Sequence, residues 1–434
     1  MPSKPNRREF ARLFAAGGSA ALLGHPALEG LLSGRSAAAA SPPALGPGGV
    51  RPRAGADVDW KAVRAAFLMP EELSVLNAAN LCPAPSHVIA SVREDTERLD
   101  REPVPSFRAE MHGVREPVRD LLADFLGVTP EEIIIVRNTS EANNWVSAGL
   151  DLGSGDEVVI VADNHPSSNR AWKGRAERFG FTVREIVPPS PHPGPDYYVD
   201  AFRREITSST RLIAFTHLTN TAGDLFPAAE LCALARERGV LSHVDGAQSF
   251  GLFDVNLREM GADFYSGSAH KWPCGPKEAG VLYVRAEVAD RLWPSVYSAY
   301  PGRRGLSRTH EGMGQRDEPA LRAFGRQIEF LNGIGMVEIE ERSRYLASLL
   351  HDALVELPGI RMWTSPHAER RAAVVTFRPA SLDPAEVIAA LEEDGIVAAA
   401  RTGSDRPGVR FSPHFYNSET DVERAVAAIS RYLV

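Results

Sequence analysis

Cysteine is scarce in this sequence: only Cys82, Cys232 and Cys274 occur in 434 residues. Their odd number and scattered spacing exclude a disulfide-stapled scaffold and allow at most one bridge. There is no CxxC pair, so neither a zinc knuckle nor a dithiol redox site is expected. Long hydrophobic runs are also missing. A membrane-spanning helix needs roughly 20 nearly uninterrupted apolar residues, and no permanent membrane anchor is expected. Positive charge is in deficit, with 48 Lys and Arg against 56 Asp and Glu for a net charge of −8. With no arginine-rich run or basic patch, nucleic-acid binding has no compositional support. What is present is an ordinary globular composition, 44% hydrophobic and 24% charged, with 36 Gly and 32 Pro. The length suits roughly two or three domains, and the balance suits a soluble enzyme or binding protein.

The first forty residues stand apart. Asn6-Arg7-Arg8-Glu9-Phe10-Ala11-Arg12 leads into an alanine-, glycine- and leucine-rich stretch through Leu23, and small residues follow at Ala37 to Ala40. This arrangement resembles a twin-arginine export signal with a small-residue cleavage site. It implies residues 1–40 as a signal peptide, the twin-arginine translocase as a transient partner, and a periplasmic or secreted destination. Removing that segment takes away five basic and two acidic residues, which leaves a mature net charge of −11. The twin-arginine route carries folded proteins and is often used where a cofactor is inserted before export, so a bound cofactor is worth seeking. Residues 41–57, rich in Pro, Gly and Ala, read as a linker or arm, with folding expected from about Val58.

From there, β-branched runs at Ile133 to Val136, Glu157 to Val161, Leu212 to Thr216, Val240 to Val244 and Gly280 to Val284 alternate with helix-length segments such as Pro227 to Arg238. That alternation predicts an α/β large domain over 58–318 with a mainly parallel sheet. A smaller α+β domain is expected over 319–434, with one long helical stretch from Ala320 to Leu357, a strand at Ala373 to Phe377, a helix from Pro384 to Asp394, a strand at Gly408 to Ser412 and a closing helix. Ser418 and Asp421 form a capping-box pattern ahead of that last helix. Ligands in open parallel sheets bind beyond the carboxyl ends of the strands, so the polar residues there are the candidates.

Several such ends carry chemistry. Ser268-Ala269-His270-Lys271 sets a lysine among small and aromatic residues, where desolvation lowers its pKa and makes the amine a nucleophile able to form a Schiff base. Val244-Asp245-Gly246-Ala247-Gln248 ends an apolar strand on a carboxylate, which is costly to bury unless a cation pairs with it. A pyridinium nitrogen would be such a cation. After Ile133 to Val136, the turn Asn138-Thr139-Ser140 opens a helix whose N–H groups and hydroxyls suit a phosphate. His165 and Asn220 follow two further runs, and a histidine there is placed to stack on a flat ring.

In this order the segments resemble the class V family of pyridoxal 5'-phosphate (PLP) enzymes, which includes aminotransferases, cysteine desulfurases and isopenicillin-N-epimerase-like proteins. The resemblance runs from Asn77-Ala78-Ala79-Asn80 to the last helix, and includes a turn at Gly275, Pro276 and Gly280. It implies fold type I with a seven-stranded sheet, a homodimer with sites at the subunit interface, and a small amino-group-bearing substrate. It further implies Lys271 as the Schiff-base lysine and the base at the substrate α-carbon, Asp245 against the pyridinium nitrogen, and His165 on the ring face. Asn220 and Gln248 would face the phenolic oxygen, Thr139, Ser140, Ser268 and His270 the phosphate, and Arg410 the substrate carboxylate.

Two departures narrow the reading. Residues 401–408, Arg-Thr-Gly-Ser-Asp-Arg-Pro-Gly, lack the catalytic cysteine that desulfurases carry before the matching arginine. Gln315 stands where the family commonly has a threonine that reaches the partner's phosphate, while Arg316-Asp317 resembles the epimerase-like subgroup. The leading expectation is aminotransferase or epimerase chemistry at an amino-acid α-carbon. C–S or β-elimination and a non-catalytic PLP-fold binding protein are the alternatives. A nucleotide-binding role for Gly153-Ser154-Gly155-Asp156 is disfavoured, because that turn precedes a strand where a dinucleotide fingerprint follows one.

Overall fold

The structure, a computed structural model, describes residues 58–380, 382–402 and 406–433. The expected export segment and the arm after it lie outside the described residues. The central element is a seven-stranded sheet. Its strands are β1 (Ile133–Val136), β2 (Glu157–Val161), β3 (Thr182–Ile186), β4 (Thr210–Thr216), β5 (Leu241–Asp245), β6 (Phe264–Ser268) and β7 (Gly280–Val284). They lie in the order β1-β7-β6-β5-β4-β2-β3, with β7 antiparallel to both neighbours and all other pairs parallel. This is the α/β architecture that the strand and helix alternation predicted.

Strand periodicity builds the two faces of this sheet. Successive side chains point to opposite sides, so Ile133, Ile135, Val159, Val161, Ile213 and Phe215 join one apolar cluster. Their alternates Ile134, Val136, Val158, Ile160, Leu212 and Ala214 join a second. Runs buried on both faces are what a helix-covered parallel sheet demands. Edge strand β3 is protected differently: Arg184 pairs with Glu205 and Glu185 with Lys173. Charges on an edge discourage pairing with a foreign strand, and they also hid this strand from a reading based on apolar runs.

The principal helices are α1 (Ser86–Arg101), α2 (Arg115–Leu126), α3 (Thr139–Gly149), α4 (Pro166–Phe179), α5 (Ala228–Glu237), α6 (Glu318–Ile334), α7 (Met336–Val355), α8 (Pro384–Glu393) and α9 (Glu419–Leu433). The long helical stretch expected from Ala320 to Leu357 is present and is divided into two helices. Gly335, at φ 105°, ends α6 in a conformation closed to other residues and lets α7 restart at Met336. Ahead of α9, the Asp421 N–H donates to Ser418 Oγ at 3.2 Å and the Ser418 N–H to Asp421 Oδ2 at 2.9 Å, so the capping box forms with Asp in the third position.

A four-stranded antiparallel sheet follows, in the order β10 (Ala399–Arg401), β11 (Gly408–Phe411), β9 (Val375–Pro379), β8 (Ile360–Met362). The strand expected at 373–377 is displaced toward the C-terminus, because pairing with β11 begins at Val375 opposite Phe411. Val375, Val409 and Phe411 belong to the same apolar cluster as Val244 and Tyr265 of the large sheet. A short parallel pairing of Ser74 and Val75 with Ile396 and Val397, and a bridge from Asn77 to Ser412, bring the segment 74–79 beside β11.

One buried ion pair anchors the chain after β7. Glu311 accepts from Arg119 at 2.6 and 3.0 Å and from the Ile135 N–H at 2.6 Å, and both side chains are closed to solvent. Removing Glu311 leaves Arg119 with only its longer contact to Glu116, 3.3 Å away, and weakening a buried pair in this way costs up to about 3–5 kcal/mol. Glu311→Ala is therefore expected to lower the urea midpoint sharply, while a swap at exposed Glu423 leaves it unchanged.

Candidate active site

Strands β1, β2, β4, β5 and β6 run in the same sense, so their carboxyl ends share one edge of the sheet. Two glycine-dependent close approaches shape that edge. A Cβ on Gly246 would lie 2.0 Å from the Tyr265 ring, and one on Gly280 would lie 2.5 Å from the Gly267 carbonyl and 3.1 Å from Asn138 Cα. The first lets the turn after Asp245 lie over β6. The second lets β7 press against β6 and the start of α3.

At one end of the edge, Asn138 caps α3 by accepting from the Glu141 N–H at 3.0 Å. The Thr139 N–H donates to Ser268 Oγ at 2.8 Å, and the Thr139 and Ser268 hydroxyls are also 2.8 Å apart. Two hydroxyls and a helix N-terminus thus converge where an anion is favoured. Ser140 is exposed on the first turn, and among the described residues nothing ties its hydroxyl to Thr139 or Ser268. His270 is half-buried with Nδ1 unpartnered. Desolvation, reinforced by the charges of Lys271 and Lys277 and opposed by a hydrogen bond to the Lys277 backbone, pushes it down to about 4, so it is neutral at pH 7.

At the other end lies Asp245, buried at 4% exposure. Its carboxylate accepts from Asn143 Nδ2 at 2.9 Å and the Ala247 N–H at 3.0 Å. No cation lies within ion-pair distance of it among the described residues. Asn143 was not singled out from sequence, although it lies four residues beyond Thr139 and therefore on the same face of α3. Its own Oδ1 is buried without a partner.

Lys271 follows β6, and among the described residues its amine makes no hydrogen bond or ion pair. Desolvation dominates its ammonium and, with Arg410 acting in the same direction against Asp245, lowers its pKa to about 8. The unfolded chain binds this proton up to about 10.4, so between the two values the unfolded state carries the extra proton. Stability of the cofactor-free protein must then rise with pH across that window through this group. Thermal melts from pH 8 to 10.5 are expected to show this slope, and Lys271→Met to flatten it.

His165 caps α4, with Nδ1 accepting from the Ser167 N–H at 3.2 Å. Desolvation first, then Lys271, lowers its pKa, with Arg401 and Arg410 adding to the effect and Asp245 opposing it. A neutral ring in that tautomer carries its proton on Nε2. Asn220 is buried after β4 and its carbonyl accepts from Arg410 at 3.0 Å. Gln248 is fixed at both ends: Nε2 donates to Ala79 O at 3.0 Å and Oε1 accepts from Trp272 Nε1 at 2.7 Å. Because indole only donates, the amide orientation is determined and one Nε2 hydrogen remains available.

Arg410, on β11, reaches across to the large sheet. Besides Asn220 O it donates to Asn77 Oδ1 at 3.0 Å, and its Nε has no partner. Burial without a counter-charge, reinforced by Arg401, pushes its pKa down to about 9. A guanidinium in that position is poised to take an anion bidentately. Gln315 is exposed, and its Oε1 accepts from Arg108 at 2.8 Å. The three cysteines are all free and buried.

This site sits on the fold of the type I PLP-dependent enzymes, and its donor set fits that cofactor. An anion cradle with an orphaned imidazole nitrogen lies at one end, an unpaired buried carboxylate suited to a protonated ring nitrogen at the other, and an unpartnered lysine amine lies near that carboxylate. Within that class the chain belongs to the class-V aminotransferase family, whose model matches residues 77–425. It is 30% identical over 389 residues to isopenicillin N epimerase of Amycolatopsis lactamdurans, covering 85% of this chain and 98% of that one. It is 31% identical over 343 residues to a cysteine desulfurase of Haloferax volcanii, covering 72% and 78%. Among solved structures, the apo cysteine desulfurase of Thermococcus onnurineus matches with TM-score 0.79 at 25% identity, over 86% of this chain and 98% of that one. A cystine C–S lyase in complex with its product cysteine persulfide matches with TM-score 0.78 at 21% identity, over 83% and 98%, a likeness of fold.

Proposed function

We propose that this protein acts at the α-carbon of an amino acid, or of a small molecule bearing an amino-acid group, by epimerisation or transamination. The observation that carries this reading is the convergence of Lys271, Asp245 and Arg410, three charged groups left without an opposite charge at ion-pair distance by the rest of the described chain. Each needs a partner that the reading provides. When bound, PLP supplies an aldehyde carbon for the substrate amine and an electron-accepting ring that stabilises negative charge at the α-carbon.

The chain's own residues do the rest. Arg410 takes the substrate carboxylate and so fixes which bond at the α-carbon faces Lys271. Lys271, with a lowered pKa, is neutral in an appreciable fraction near pH 7 and moves the α-proton through Nζ. Asp245 holds the ring nitrogen protonated, and Asn143 and the Ala247 N–H hold Asp245. With PLP bound, His165 would cover the ring face, Gln248 and Asn220 would face the phenolic oxygen, and Thr139, Ser140, Ser268 and His270 would hold the phosphate.

Epimerase relatives matched over nearly their whole length support the α-proton reading. C–S cleavage is the second reading, because cysteine desulfurases are matched at similar identity. The absence of cysteine from 401–408 disfavours its desulfurase form, in which a cysteine takes the sulfur, whereas β-elimination needs only a leaving group on the substrate. A purely binding role would leave Lys271 and Asp245 without a function. We further propose export by the twin-arginine route, supported by the Arg7-Arg8 segment, and a homodimer, supported by the family. Incubation with candidate L-amino acids in deuterated water tests the reaction: label at the α-carbon with inverted product supports epimerisation, and a keto acid supports transamination. Release of sulfide from cysteine with formation of pyruvate and ammonia would replace both with C–S cleavage.

A further inference from the structure

Arg401 was not among the residues singled out from sequence, yet the register of the small sheet puts it in the site. β10 pairs with β11 so that Ala399 lies opposite Arg410 and Arg401 opposite Gly408. Directly opposed residues share a face, as do residues two apart on one strand, so Arg401 and Arg410 are diagonal neighbours on one face, with about 7–8 Å between them in such a pair. Both side chains run to consecutive residues after β4: Arg410 to Asn220 O at 3.0 Å and Arg401 to Thr221 Oγ1 at 3.4 Å. Both also act on His165.

The two arginines share a second property. Of the other shielded arginines, Arg119, Arg285, Arg371 and Arg406 each have a carboxylate, from Glu311, Asp263, Asp352, and Asp163 with Asp224, while Arg316, also without one, gives both terminal nitrogens to Ile135 O at 3.2 Å, away from Arg401 and Arg410. Arg401 and Arg410 have none at ion-pair distance among the described residues, and the Nε of each is buried without a hydrogen bond. Around the substrate position the described residues thus offer the cations Lys271, Arg401 and Arg410 beside the carboxylate of Asp245. One substrate carboxylate satisfies one bidentate guanidinium. Holding a second half-buried cation there without a partner is costly unless something anionic arrives to meet it.

We propose that Arg401 reads a second anionic group on the substrate, so that the substrate class is an amino acid or amino-acid-bearing molecule with a carboxylate on its side chain. Arg410 holds the α-carboxylate and Arg401 the distal one, an assignment that rests on the α-carbon reading above. The carboxylate then selects among amino acids by leaving Arg401 unpaired when the side chain is neutral, which discriminates more strongly than shape alone.

The test compares isosteric pairs that differ only in charge, glutamate with glutamine and aspartate with asparagine. Binding to the PLP-loaded protein is read by calorimetry and by the visible absorption change. The expected result is at least about tenfold tighter binding of one acidic member over its amide. Arg401→Gln should bring that ratio close to one while leaving amide affinity within about threefold, and Arg401→Lys should keep part of the preference. Equal loss of acid and amide in Arg401→Gln would mean that both arginines share the α-carboxylate and would overturn the proposal. So would a wild-type protein that binds amino acids without preferring either acid, although the α-carbon reading would stand. A loaded protein that binds none of the four would overturn both.

Discussion

Lys271→Ala is expected to slow exchange of the substrate α-proton with solvent by at least about 10³-fold, because one amine both attaches the cofactor and moves the proton. Substrate affinity should change far less. Arg410 is held by Asn220 O and Asn77 Oδ1, and neither contact involves Lys271. The two quantities therefore separate: exchange, followed by proton NMR in deuterated water, collapses, while the dissociation constant of an unreactive substrate analogue moves by no more than about tenfold. A small primary amine added in solution should restore part of the exchange, since the missing group is a base and the rest of the site is intact. Equal loss of binding and exchange would instead point to a collapsed site.

Asp245→Asn is expected to cost about 10²–10³ in turnover, the usual effect of removing one preorganised electrostatic partner from a reacting centre. The substitution should fold. The new amide keeps an oxygen for the Ala247 N–H, and Asn143, whose Oδ1 is an unsatisfied buried acceptor, can turn its amide to receive the new N–H. With the carboxylate gone, nothing holds the ring nitrogen protonated, and the absorption band of bound cofactor should shift although cofactor affinity is nearly kept. Unchanged turnover and spectrum would remove Asp245 from the site.

Much of this arrangement was legible in the sequence because each signal breaks a local rule. Asp245 ends an apolar strand on a charge, and Lys271 follows a run of small residues where a surface lysine would have polar company. Strand β1, four β-branched residues, needs no tertiary information. Strand β6 was harder, since Ser266, Gly267 and Ser268 lack the bulk that marks a strand and are held by their neighbours instead. The break at Gly335 was hidden because apolar periodicity continues across it, and only the backbone angle reveals the new helix. Arg401 and Asn143 were missed for a different reason. Their roles follow from cross-strand register and from a helix face turned to β5, and neither is written in local composition. The partners of Gln248 likewise lie 169 and 24 residues away.

The most direct test of the central claim, that Lys271 carries the cofactor in this chain, is borohydride reduction of the PLP-loaded protein followed by peptide mapping. The account predicts that the visible band disappears, that one equivalent of pyridoxyl label becomes fixed to the peptide containing Lys271, and that Lys271→Ala takes up no label. Label on another lysine, or a protein that cannot be loaded with PLP at all, would contradict it.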